Sequence, residues 1–200
     1  MTVVFFDLET GGIEPERPNI QLAAVAMSDG LDAEVGVFEQ KIQFEEKDAA
    51  PEALRINCYN PALWKEHAVG EMVAAGTFAS FLREHATVEL VSRAGKPYRI
   101  ARLAGHNVAS FDCPRLIAMF KRYDLFLPGT AYQPLDTYQR ALWYFAERRW
   151  TGPQSVNPLN QPANMKLATL AEWFEIPSVG AHDALADVRM CVAIARAMRA

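Results

Sequence analysis

Residues 2–6, Thr-Val-Val-Phe-Phe, run straight into Asp7-Leu8-Glu9-Thr10-Gly11-Gly12, and no other junction restricts the chain as much. Consecutive β-branched and aromatic side chains predict a short strand buried on both faces, and two glycines end it. Side chains two apart on a strand share a face, so Asp7 and Glu9 point to one spot at the end of a core strand. Two charges there are costly without a partner. No lysine or arginine lies nearer in sequence than Arg17. The pair therefore meets solvent at an exposed strand end, a base from a distant segment, or a bound cation.

The remaining pattern predicts an α/β fold. An apolar run over 20–27 and an alternating run over 34–44, separated by Asp29-Gly30, read as a hairpin beside the first strand. Helical periodicity follows briefly after Pro51 and again over 71–84. Residues 89–102 read as an extra hairpin around Ala94-Gly95-Lys96-Pro97; with Arg93, Lys96, Arg99 and Arg102 it is basic, either a solvated hairpin or a contact that tracks a nucleic-acid strand. Further helices are expected over 113–123, 136–150, 166–174 and from 183 to the C-terminus, with a proline- and asparagine-rich loop over 151–164. Antiparallel hairpins followed by strand and helix units imply a mixed sheet flanked by helices.

Two hundred residues suit one domain, half of them apolar, which excludes disordered and collagen-like classes. Apolar runs are far shorter than the roughly 20 residues of a spanning helix, and no leader-like segment opens the chain, so a soluble cytoplasmic protein without membrane contact is expected. Cys58, Cys113 and Cys191 are widely spaced and read as three buried, unpaired side chains. A net charge of −4 argues against a general positive coat for nucleic acid. Local handling of nucleic acid through metal ions is compatible with it.

Two later segments carry the same residue chemistry. In Gly105-His106-Asn107-Val108-Ala109-Ser110-Phe111-Asp112 the aspartate opens a helix, where an N-cap is its ordinary role. In His182-Asp183-Ala184-Leu185-Ala186-Asp187 a loop histidine precedes an aspartate in the first turn of an otherwise apolar helix. Separately each is unremarkable. Together, four carboxylates and a histidine are the parts of a two-metal phosphodiester hydrolase: oxygen ligands suit two Mg²⁺ or Mn²⁺ ions, and a histidine accepts a proton from water.

In this order, Phe-Asp-Leu-Glu-Thr-Gly-Gly, Gly-His-Asn-(x)₃-Phe-Asp and His-Asp-Ala-Leu-Ala-Asp resemble the three motifs of the DEDDh 3′–5′ exonucleases, the DnaQ-like and three-prime repair enzymes among them. The resemblance spans essentially the whole chain, read as a single exonuclease domain over 1–200. It implies a ribonuclease H-like fold with a five-stranded mixed sheet. It also implies Asp7, Glu9, Asp112 and Asp187 as metal ligands, Glu9 and His182 as catalytic residues, and Thr10, Gly11, Gly12, Asn107 and Phe111 around the 3′-terminal nucleotide. The core is nearly as good a place for Phe111. His106 and Asp112 stand one position further apart than in the proofreading subunit and RNase T, as in the three-prime repair enzymes, which leans toward DNA 3′ ends over RNA.

The resemblance thus implies release of nucleoside 5′-monophosphates from single-stranded or frayed DNA. An RNA-trimming exonuclease is the alternative. A partner-dependent subunit or adaptor of a replication or DNA repair complex is a second, and a homodimer is a candidate assembly. The chain closes at Arg199-Ala200 without the polymerase-binding extension of a proofreading subunit, an expectation against a dedicated proofreading role.

Overall fold

The computed structural model describes residues 2–151, 162–178 and 183–199. Strands β1 (Val3–Thr10), β2 (Asn19–Met27) and β3 (Glu34–Lys41) form an antiparallel meander. The short strands β4 (Val88–Val91) and β5 (Pro97–Ile100) pair only with each other, which is the extra hairpin. Strands β6 (Arg102–Gly105) and β7 (Leu135–Asp136) then add in parallel, giving the sheet order β3-β2-β1-β6-β7. The helices are α1 (Pro51–Ile56), α2 (Pro61–His67), α3 (Glu71–Glu84), α4 (Asp112–Arg122), α5 (Thr137–Thr151), α6 (Leu167–Trp173) and α7 (Ala184–Ala197).

Alternation along β1 assigns its two faces. Val4, Phe6 and Leu8 pack with Phe78 and Leu82 of α3 and with Leu116 and Phe120 of α4. Val3 and Phe5 pack instead with Val188, Cys191 and Val192 of α7. Asp7 and Glu9 continue the second face, so the two carboxylates are carried toward the N-terminal end of α7.

β1 reaches Thr10, beyond the strand expected over 2–6, because β2 keeps pairing with it as far as Thr10↔Asn19. β6 stops earlier, with its last partner pair at Phe5↔Ala104. The end of β1 thus has a ladder on one edge and an opening on the other. Gly105 makes this exit possible, since a Cβ there lies 2.7 Å from the Phe6 carbonyl oxygen and 2.2 Å from Val108 Cγ1.

Several sequence expectations need correcting. Arg102 belongs to the main sheet, not to the basic hairpin. Helix α2 was not anticipated; Asn60 caps it, accepting from the amides of Ala62 and Leu63. Cys58 is exposed, whereas Cys113 and Cys191 are buried, with thiols pushed up to about 12 by burial. The loop expected over 151–164 falls largely outside the described residues. Among those described, no helix is long and apolar enough to cross a membrane.

The hairpin springs from the other pole of the molecule. Thr87 exchanges hydrogen bonds with Thr2 at the start of β1, about 20 Å from Glu9 at the usual strand rise. Arg99 is already paired with Glu89. Replacing Arg93, Lys96 and Arg99 together is therefore expected to leave oligonucleotide affinity within about twofold; a tenfold loss with a flatter salt dependence would show that the hairpin does track the strand.

Candidate active site

Four segments meet where β1 outlasts β6. Carboxylate oxygens of Asp7, Glu9 and Asp187 lie within 4.8 Å of one another. Asp112 lines the same cavity, of about 320 Å³, together with His106, Asn107, Phe111, Tyr138 and Lys166. Asp112 is not the N-cap of α4, a place taken by Phe111. Its Oδ1 accepts from the amide of Leu8 at 3.0 Å, a donor stranded by the early end of β6. Residue 182 lies outside the described residues, so the position of His182 is not described. Asp183 caps α7, accepting from the amides of Leu185 and Ala186, and also accepts from Gln21 Nε2.

The electrostatics of this cluster favour a positive charge among the carboxylates. Burial, then repulsion from Asp112, Glu9 and Asp187, holds the Asp7 carboxyl well above the usual carboxylate range. Burial and then the charges of Asp187 and Asp112 push Glu9 up to about 7. Burial likewise raises Asp112 to about 7, although hydrogen bonds from the amides of Leu8 and Asp112 and the charge of Arg115 pull against it. Among the described residues no salt bridge reaches Asp7, Glu9 or Asp112. No base among the described residues is thus paired with them, and the donor set is all oxygen, which fits Mg²⁺ or Mn²⁺.

The glycine turn is held from behind. Thr10 Oγ1 donates to the Gly12 carbonyl at 2.8 Å, so this hydroxyl stiffens the turn. The guanidinium of Arg115, buried to 8% exposure, donates to the carbonyls of Gly12, Ile13, Glu14 and Arg17. It also lies 4.5 Å from the centre of the Phe111 ring, in cation–π range. Phe111 is half-buried and lines the cavity, outside every core cluster. Asn107 lines the cavity with its backbone at φ 58, and its amide donates to Asp136 Oδ1. Gly11 and Gly12 belong to the adjoining turn and not to the cavity lining.

His106, Tyr138 and Lys166 were not singled out from sequence. His106 joins three elements: its Nε2 lies 2.9 Å from the Met165 carbonyl and its Nδ1 2.9 Å from Thr137 Oγ1. A carbonyl only accepts, so Nε2 carries the proton. Burial lowers the pKa of this ring, which favours the neutral form. Only its place in Gly-His-Asn hinted at it.

Without metal, these carboxylates couple stability to pH. The native state keeps protons on Glu9 and Asp112 up to about pH 7, whereas the unfolded chain releases them near their ordinary values of 4.5 and 3.8. The native state binds more protons in that window, so stability falls as pH rises through it. We expect Tm in EDTA to drop by several degrees between pH 5 and pH 8, at roughly 2–4 °C per kcal/mol, and Mn²⁺ to restore it at pH 8. Equal melting at both pH values, insensitive to Mn²⁺, would contradict this electrostatic account.

Sheet order and flanking helices define a ribonuclease H-like fold, with a carboxylate cluster at the end of its central strand. A family model described as exonuclease, of the RNase T type, matches residues 4–195. The chain belongs to that exonuclease family. No curated protein matches it. Among solved structures, E. coli exonuclease I with a dT13 oligonucleotide is similar at TM-score 0.73 and 20% identity, covering 99% of this chain and 41% of that one. The zinc-bound E. coli exonuclease I–ssDNA complex is similar at TM-score 0.71 and 20% identity, over 98% of this chain and 39% of that one. The chain thus spans about two fifths of the length of the structures it resembles.

Proposed function

We propose that this chain, read as one exonuclease domain, is a divalent-metal-dependent 3′–5′ exonuclease. Its substrate is single-stranded or frayed DNA, and its product is nucleoside 5′-monophosphate. The observation that carries the reading is the cluster of Asp7, Glu9 and Asp187 within 4.8 Å, beside Asp112 in one open cavity. The four carboxylates would hold two Mg²⁺ or Mn²⁺ ions. When bound, such a pair supplies Lewis-acid stabilisation of the attacking and leaving oxygens of a phosphodiester.

The chain's own residues do the rest. Raised pKa values mean that Asp7, Glu9 and Asp112 surrender protons when a cation arrives, so the ligand set is completed by binding. Thr10, Gly11 and Gly12 form the turn beside the carboxylates that would meet a 3′-terminal nucleotide, and Arg17 and Glu14 fill the space where a Gly12 Cβ would stand. Phe111 and Asn107 flank that nucleotide, and Arg115 holds both the ring and the turn. His182 accepts the proton of the attacking water.

DNA is favoured over RNA by the His106–Asp112 spacing and by fold likeness to an enzyme solved with dT13. Matched 5′-labelled single-stranded DNA and RNA, digested over time with Mg²⁺, with an EDTA control, test this. A ladder shortening from the 3′ end, faster on DNA and absent in EDTA, is the expected result. Faster shortening of RNA would assign an exoribonuclease, and no shortening of either would assign a partner-dependent subunit.

A further inference from the structure

We propose that Lys166 takes a backbone phosphate of the bound strand at the rim of this cavity and so sets substrate affinity; the inference rests on the nuclease reading above. Among the described residues lining the cavity, Lys166 is the one lysine or arginine, set against four carboxylates. Among the described residues it makes no salt bridge with Asp7, Glu9 or Asp112.

The backbone beneath Lys166 is fixed while its side chain is exposed. Its amide donates to Asn164 Oδ1 at 2.9 Å, and its carbonyl accepts the Leu170 amide in the first turn of α6. On one side, Met165 is tied to His106 through its carbonyl. On the other, Leu167 packs against two of the apolar clusters. A rigid mount thus carries a flexible four-carbon stem with a compact charge, which suits a phosphate better than a directional contact.

The need for such a charge is electrostatic. Four carboxylates repel a polyanion, and cations held among them would serve the phosphate being cut. A neighbouring phosphate needs its own partner, and Lys166 lines the cavity that a strand reaching the carboxylates must enter. Phe111 and Tyr138 line the same cavity with rings, which suit a sugar or base and not a phosphate.

The test is Lys166→Ala and Lys166→Arg, read by anisotropy of a fluorescent oligo(dT) in Ca²⁺ and by initial rates in Mg²⁺ across a salt series. Loss of a charge-assisted contact is expected to raise Kd and KM about tenfold. kcat stays within about twofold, and the slope of log affinity against log salt flattens by roughly 0.7. Lys166→Arg stays near wild type, and Mn²⁺ affinity is unchanged in both. Wild-type affinity and slope in Lys166→Ala, in a protein that cleaves DNA, would overturn the Lys166 assignment alone. So would tighter Mn²⁺ binding with unchanged KM, which marks a counter-ion of the cluster. A folded wild type that neither binds nor cleaves would overturn the nuclease reading and this inference with it.

Discussion

Asp187→Ala is expected to lose at least 10²- to 10³-fold in kcat, the scale seen when one preorganised electrostatic group is removed from a reacting centre, while the fold survives. Asp187 stands within 4.8 Å of Asp7 and Glu9, and its charge is the leading electrostatic cause of the raised Glu9 pKa. Removing it deletes a ligand and relieves repulsion at the same time. The metal-free variant should therefore melt no lower than wild type at pH 8, and Glu9 should ionise at lower pH. An inactive variant that is also strongly destabilised in EDTA would mean that Asp187 is structural. A variant with wild-type turnover would place the chemistry elsewhere.

His182→Ala should slow hydrolysis by about 10²- to 10⁴-fold, the usual worth of a positioned general base, and leave Mn²⁺ affinity intact. The sign of the pH dependence identifies the group. With its ordinary pKa near 6.5, a histidine acts as a base only when neutral, so wild-type kcat should climb as pH rises through that region and then level. Cations held there would pull Glu9 and Asp112 below their metal-free values of about 7, which would leave the histidine as the source of that rise. The variant should lack it. An unaltered profile in the variant would remove His182 from the mechanism.

Much of the fold was legible because local period and tertiary packing agree. The apolar periodicity over 71–84 matches α3 residue for residue, and the apolar run over 20–27, broken only by Gln21, marks β2, buried along its whole length. β7 was invisible, since its two residues are a strand only by pairing with β6. The length of β1 was misjudged for a related reason: Asp7 and Glu9 read as its end, but β2 carries the ladder past them.

The site divides in the same way. Asp7 and Glu9 sharing a face followed from strand geometry, and their meeting with Asp187 followed from family resemblance. The link from Asp112 to the Leu8 amide did not, because it depends on where β6 stops. Lys166 carried no motif at all; its importance arises from a mount built by His106, Asn164 and Leu167, residues distant from β1 in sequence.

On the function proposed above, these four carboxylates form a divalent-cation site on which activity depends. Calorimetric titration of Mn²⁺ into chelator-stripped protein at pH 8, alongside Asp187→Ala, tests it most directly. Saturable binding by wild type, with a rise in Tm and proton release, and a clear loss of affinity in the variant is the result this account predicts. No binding by a folded wild type, or cleavage that persists in EDTA, would contradict it.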